Sequence, residues 1–312
     1  MTIQNRTASF LLGLWGLANA FPALSPRNDA IASNTETSLT AMFQNNLNGT
    51  DDINHIPFLV LDPVPEEDAA AACEAFGETL LSKATVNKYK SDLDTSLGYL
   101  DYSGQFGHTS QIYQIQGAVV VVDSRTGTVS YGQPLSPWVP VPVLCTQSNA
   151  ATTANASNEI VVRAGTNNFI GFRSPKSFQF IGIPYANPHE RWEYSSVYSQ
   201  THQTIQATVF GSECAQTVDT GSEACLFLNI YTPFLPRAGT SENLRPVMLW
   251  IHGGAYTGGA GSQTDGTNIV SREDIIFVTI NYRLSTLGFL AIPGTSIKGN
   301  YGIGDQITAL KV

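Results

Sequence analysis

Two apolar runs, Val247 to Ile251 and Ile275 to Ile280, carry no polar alternation. A strand with one face in water alternates apolar and polar residues, so unbroken runs suit parallel strands covered on both faces. The first run opens into a stretch with six glycines among the nineteen residues Met248 to Gly266. Glycine is costly to order, so this density needs a reason. Either the backbone bends sharply there, or its N–H groups come close to something negative. The carboxyl end of a strand is where open α/β sheets hold their ligands, which favours an α/β class and a site at this loop.

A phosphate cradle fails on spacing. Gly254 and Gly259 are followed by Ala260-Gly261, where a P-loop needs Lys and then Ser or Thr. No G-x-G-x-x-G occurs in the stretch, and it contains no Lys or Arg. The remaining candidate is an oxyanion hole. Backbone N–H groups aimed at the oxygen of a tetrahedral intermediate stabilise its charge, each by about 3 kcal/mol, and small residues permit that close approach.

Composition bounds the partners. The 312 residues carry a net charge of −9, which argues against nucleic acid or an anionic membrane surface. Apolar residues make up 42%, enough for a sizeable core. Arg6, the apolar segment Ala8 to Leu17 and the small-x-small Ala18-Asn19-Ala20 have the form of a secretory signal over residues 1–20. That core is shorter than the roughly 20 residues a transmembrane helix needs, and no other stretch could span. A secreted, extracellular protein is expected. In that compartment Cys73, Cys145, Cys214 and Cys225 suggest two disulfides, with three pairings open. No cysteine lies in a C-x-x-C or Cys/His cluster, so no metal site is expected. Asn48-Gly-Thr and Asn155-Ala-Ser are glycosylation acceptors where exposed.

Residues 21 to 54 are polar and weakly patterned and read as a loose lead-in. Pro65-Glu-Glu-Asp opens a short alanine-rich helix that Gly77 stops, and Val86, Tyr89, Leu93 and Leu97 predict a second, amphipathic one. Ile112 to Val122 is β-rich, and Thr146 to Asn158 has no periodicity. The expected organisation is a small α+β module over 21–148, a linker over 149–157 and an α/β domain over 158–312. The spacing Ala69-x3-Cys73-x3-Gly77-x2-Leu80, closed by Val143-Leu144-Cys145-Thr146, resembles the outer cysteine segments of C-type-lectin-like folds. That resemblance implies a Cys73–Cys145 bond. The inner cysteine pair and the Glu-Pro-Asn and Trp-Asn-Asp segments of that family are missing, so a structural add-on is expected rather than a sugar-binding module.

Beyond residue 158, five segments occur in the order found in type-B carboxylesterases and lipases. They are Phe180-Ile-Gly-Ile-Pro-Tyr-Ala186, Ser222-Glu-Ala-Cys-Leu-Phe-Leu-Asn-Ile-Tyr-Thr-Pro233, Trp250-Ile-His-Gly-Gly-Ala-Tyr-Thr-Gly-Gly259, Asn281-Tyr-Arg-Leu-Ser-Thr-Leu-Gly-Phe-Leu290 and Gly299-Asn-Tyr-Gly-Ile-Gly-Asp-Gln306. The chain resembles that family, and looks most similar to its secreted fungal members. The resemblance implies the amino-terminal part of an α/β-hydrolase fold with a mostly parallel central sheet. It implies Gly254 and Ala255 as oxyanion donors, a Cys214–Cys225 bond, and two ion pairs, Arg191 with Glu223 and Arg283 with Asp305. Asp305 equally suits a helix N-cap. His252 shapes the loop in relatives and receives no acid–base role. Ala224 stands where the family has Asp or Gly. The Cys214–Cys225 loop holds ten residues and no tryptophan, which argues against choline esters, whose cation such a ring would bind.

The family's nucleophile sits in a G-x-S-x-G elbow, followed in order by an Asp or Glu and a His. None of the 312 residues forms that elbow, and Gly294-Thr-Ser-Ile-Lys lacks its last glycine. The resemblance puts the triad beyond Val312, so these residues alone are expected to be inactive. The function expected is a carboxylic ester hydrolase acting through a serine acyl-enzyme on small-molecule or lipid esters, with no cofactor. The alternative is a catalytically silent, secreted binding or adhesion protein on the same fold.

Overall fold

The computed structural model describes residues 32–33, 36–105, 112–133, 135–216, 220–240 and 244–312. The signal-like segment 1–20 lies outside them. In chain order the first elements are β1 (Ala32–Ser33), β2 (Leu39–Met42), β3 (Phe58–Val64), α1 (Glu66–Glu74), α2 (Lys83–Lys88), α3 (Lys90–Ser103), β4 (Ile112–Ile115), β5 (Ala118–Val122), β6 (Val129–Tyr131) and β7 (Val141–Thr146). After them come β8 (Glu159–Ala164), β9 (Asn167–Arg173), β10 (Phe178–Pro184), β11 (Thr204–Gln206), β12 (Phe227–Thr232), β13 (Phe234–Leu235), β14 (Val247–Ile251), α4 (Thr267–Glu273), β15 (Ile276–Ile280), α5 (Ser285–Phe289) and α6 (Tyr301–Ala309).

The local signals act as their chemistry dictates. Glu66, Glu67 and Asp68 put negative charge at the positive end of α1, and Gly77 takes φ +69° just past its end. The amphipathic helix expected over Val86 to Leu97 forms as α2 and α3. Tyr89 leaves helical geometry between them at ψ +32°, and the Ser82 hydroxyl caps α2 by accepting the Thr85 N–H at 3.1 Å.

Two sheets result. One runs β13-β2-β3-β7-β4-β5-β6, and the other β1-β8-β9-β10-β12-β15-β14 with β11 beside β9. The second sheet is mixed, not mostly parallel. Its inner pairs β8/β9, β9/β10, β10/β12 and β12/β15 are antiparallel, while β14/β15 is parallel. Connection length is the reason: β8 and β9 are joined by a tight turn at Gly165, which permits only antiparallel pairing. The segment from β14 to β15 is long enough to carry α4 as a crossover.

The two apolar runs also part company. β15 is buried along its whole length, as its sequence suggests. β14 is the terminal strand of its sheet among the described residues, and Met248, Trp250 and Ile251 are 46%, 44% and 38% exposed. Where it is described, the polar segment before residue 54 is no loose lead-in either. Leu39–Met42 forms a strand between β3 and β13, with Leu39 fully buried.

Those strands interlock the two halves of the chain. β13, from the second half, adds to the first sheet, and β1, from the first half, adds to the second. One apolar cluster runs from Leu39, Leu59, Leu61 and Val143 into Phe178, Phe180, Leu228 and Ile280. A separate cluster under α2 and α3 holds Phe58, Val60, Leu93, Leu97 and Leu144. Alternate residues of β3 and β7 thus serve both cores, which is the period-two geometry of a strand. Buried Arg173, at the end of β9, reaches across: its guanidinium donates to Glu78 Oε1 at 3.2 Å, Gln147 Oε1 at 2.9 Å and the Phe76 carbonyl at 2.7 Å. The aperiodic Thr146 to Asn158 stretch is tied down in the same way, since buried Asn158 donates to the Thr153 and Arg173 carbonyls.

His55 fastens the loop before β3 to α3. Its Nδ1 lies 3.0 Å from Asp92 Oδ1 and its Nε2 3.3 Å from Asp51 Oδ2. Hydrogen bonding to Asp92 raises its pKa above the ordinary 6.5. A raised folded-state value stabilises the fold fully below the unfolded value, and that contribution fades as pH rises through the folded one. Wild type is therefore expected to lose thermal stability relative to His55→Gln between about pH 6 and pH 8. Parallel melting curves of the two proteins across that range check it. Half-buried His189 and buried His252 have lowered values and act in the opposite sense, which is why the variant difference is the measure.

Candidate functional site

The glycine loop leaves β14 at His252 and is shaped by main-chain contacts. The buried His252 ring stacks on Tyr282 with centroids 4.4 Å apart, and its Nδ1 lies 2.8 Å from the Gly253 carbonyl. Tyr282 returns a hydrogen bond from its hydroxyl to the His252 carbonyl at 2.9 Å. Burial lowers the His252 pKa, so the neutral ring is favoured, and a neutral ring spent on its own loop suits a shaping role.

Past His252 the backbone enters left-handed space. Gly254 takes φ +108°, and its carbonyl accepts the N–H groups of Thr257 at 2.9 Å and Gly258 at 3.2 Å. Ala255 and Tyr256 follow at φ +52° and +62°. Non-glycine residues in this region are strained and gather at functional sites. The Tyr256 carbonyl accepts the Ser285 N–H at 2.7 Å, which anchors the strained pair to the start of α5. Gly254 and Ala255 are exposed, and their N–H groups donate to no protein acceptor among the described residues. The loop thus presents two free, adjacent amide donors on a backbone held from both ends.

Gly259 closes the loop at φ +114°, where an added Cβ would stand 2.3 Å from His252 Nδ1. At Gly254 an added Cβ would stand 2.0 Å from the Gly258 carbonyl oxygen, whereas at Gly253 it would meet nothing within 4 Å. Gly254→Ala is expected to destabilise by about 1–3 kcal/mol and Gly253→Ala by far less. Denaturant midpoints of the two variants against wild type check this, and equal midpoints for the two would refute it.

Gln216 is a residue that sequence reasoning missed. Its side chain meets the Gly259 main chain with both ends, Nε2 donating to the carbonyl at 2.9 Å and Oε1 accepting the N–H at 3.0 Å. Nothing in a short polar loop signals such a contact, beyond its place two residues after Cys214.

Both cysteine pairs are formed, Cys73–Cys145 and Cys214–Cys225, and no cysteine is free. The Arg191 guanidinium faces the Glu223 carboxylate, with Nε 2.7 Å from Oε2, on an exposed surface. The neighbouring Arg191 lowers the Glu223 pKa. Arg283 and Asp305 are both buried. Asp305 accepts from Arg283 Nε at 2.8 Å, from Nη2 at 2.7 Å and from the Arg283 N–H at 3.1 Å. Asp305 is no N-cap: α6 begins at Tyr301 with Asn300 as its cap, so the carboxylate lies a turn inside. Asn48 and Asn155 are exposed, each with the hydroxyl of its own Asn-x-Ser/Thr triplet on its Oδ1. No group of three or more potential metal-ligating side chains occurs among the described residues.

Residues 161–312 match the model of the carboxylesterase family. Over 173 residues the chain is 35% identical to Esterase E4 of Myzus persicae, covering 51% of this chain and 31% of that one. It is 36% identical over 159 residues to the bile salt-activated lipase of Homo sapiens, covering 47% of this chain and 21% of that one. To the para-nitrobenzyl esterase of Bacillus subtilis it is 38% identical over 147 residues, covering 42% and 29%. These similarities support the carboxylesterase/lipase family for this half of the chain, and its mixed sheet with the α4 crossover has the layout of a partial α/β fold. The chain spans between a fifth and a third of the length of these relatives.

Proposed function

We propose that this chain forms the amino-terminal part of a secreted carboxylic ester hydrolase, in which the amides of Gly254 and Ala255 stabilise the oxyanion of a serine acyl-enzyme reaction. The observation that carries the reading is the pair of unbonded N–H groups at the carboxyl end of β14, within residues similar to the carboxylesterase family. Acyl transfer develops negative charge on one oxygen twice, on forming and on hydrolysing the acyl-enzyme. Donors already oriented need not reorganise at either step. No G-x-S-x-G elbow, which would carry the nucleophilic serine, occurs within these residues. The substrates are small-molecule or lipid carboxylic esters, and no metal or other cofactor enters the chemistry. Two disulfides with no free cysteine support an oxidising, extracellular setting. No helix among the described residues is long and apolar enough to cross a membrane.

Residues 36–148 serve in this reading as a structural partner of the hydrolase half rather than as a sugar-binding module. The shared apolar cluster and the Arg173 contacts support that role.

The test is to read the transcript through codon 312 and to treat the encoded secreted protein with a fluorophosphonate probe. A G-x-S-x-G serine within the following few tens of codons, labelled covalently and hydrolysing p-nitrophenyl acetate, is the expected result. A stop codon directly after Val312, with no labelling and no turnover, would leave the silent binding protein as the reading.

A further inference from the structure

We propose that Gln216 is a positioning residue for the oxyanion loop, and that the Cys214–Cys225 loop serves the reaction by holding it; the inference rests on the esterase reading of that site. The Gln216 side-chain amide imitates a strand partner, since one carboxamide fills both the donor and the acceptor of Gly259. Gly259 lies against His252 with no room for a Cβ, and His252 in turn holds the Gly253 carbonyl through Nδ1. Gly258, its neighbour, donates to the Gly254 carbonyl. The contacts therefore run without a gap from Gln216 to the two free amides.

The base of the clamp is itself fixed. Cys214 is bonded to Cys225, the Ala215 N–H donates to the Ser222 carbonyl at 3.0 Å, and the Gln216 N–H donates to the Thr220 carbonyl at 3.1 Å. Glu213 adds a second tie, accepting from the Ser262 hydroxyl at 3.3 Å on the far side of the loop. Gln216 is thus held at its own main chain, two residues from a disulfide, so its side chain transmits its position rather than averaging it away. An amide donor helps an oxyanion only where its direction is set beforehand, which gives this linkage a chemical purpose.

Hydrogen–deuterium exchange of the full chain tests the clamp. Gln216→Ala removes both hydrogen bonds to the Gly259 main chain, and exchange in peptides covering 253–262 is expected to quicken about tenfold, with peptides of β12 and β15 unchanged. Gln216→Glu keeps the acceptor and loses the donor, and should fall between. Unchanged exchange at 253–262 in both variants overturns the clamp, and so does an acceleration spread evenly over the sheet. Should Gln216→Ala fail to fold, an unaltered loop in Gln216→Glu overturns it equally. In the secreted esterase, Gln216→Ala is expected to lower kcat for p-nitrophenyl acetate about tenfold at unchanged KM, with Gln216→Glu partly rescuing it. A wild type that hydrolyses no ester refutes the role in the reaction, and with it the esterase reading, while the exchange result still tests the clamp alone.

Discussion

Arg173→Met is expected to lower the unfolding free energy by about 3–5 kcal/mol, the usual effect of removing one partner of a buried ion pair. Arg173 is 1% exposed and Glu78 4% exposed, so water cannot take over the lost contacts. Glu78 keeps the Thr146 hydroxyl at 2.7 Å and the Ser148 N–H at 2.9 Å, but its cation is gone. The Phe76 carbonyl and Gln147 lose donors in the same step. Burial lowers the Arg173 pKa, a sign that the guanidinium is held at some expense and retained through its partners. The double variant Arg173→Met/Glu78→Gln should recover much of the loss, because no buried charge then remains. Urea denaturation of wild type and the two variants decides this. A single variant within about 1 kcal/mol of wild type would show the network to be dispensable. The same experiment carries a second expectation. With one core running through both halves, fluorescence and circular dichroism should report a single transition rather than two.

Removing the Cys73–Cys145 bond by Cys73→Ser/Cys145→Ser is expected to cost about 4 kcal/mol, from the loop-closure entropy of a sequence separation of 72. The bond joins α1 to β7 at the centre of the first sheet, where both cysteines are fully buried, so two hydroxyls would also enter an apolar cluster. The Cys214–Cys225 bond closes a separation of only 11, and its loss is expected to cost about 3 kcal/mol in the same treatment. Denaturant midpoints of the two double variants should therefore rank in that order, with the first variant the less stable. The reverse order would mean that strain or residual structure outweighs chain entropy here.

Much of this molecule is written in local chemistry. Within the unbroken apolar run Ile275 to Ile280, Ile276–Ile280 became a fully buried strand, and the glycines after β14 became a left-handed loop with free amides. Gly254, Gly259 and His252 are legible because their constraint is steric and short-range, between residues at most seven apart. The acids after Pro65 and the Gly77 stop are legible for the same reason.

What stayed hidden depends on residues far apart in the chain. Among the described residues equally apolar runs gave a buried β15 and a partly exposed β14, because which strands flank a run is not a property of its own five residues. Leu39–Met42 reads as unpatterned, yet it is a strand because β3 and β13 flank it, the latter nearly 200 residues away. Gln216 looks like any polar loop residue until the fold brings Gly259 to both ends of its amide. Where the backbone must bend, and which segments have the makings of a core, could be read from the residues alone, since glycine sterics and apolar periodicity act within a few positions. That the two halves share one core across Arg173, and that Gln216 reaches Gly259 in the glycine loop, emerged with the folded arrangement, because those contacts exist only once distant strands have paired.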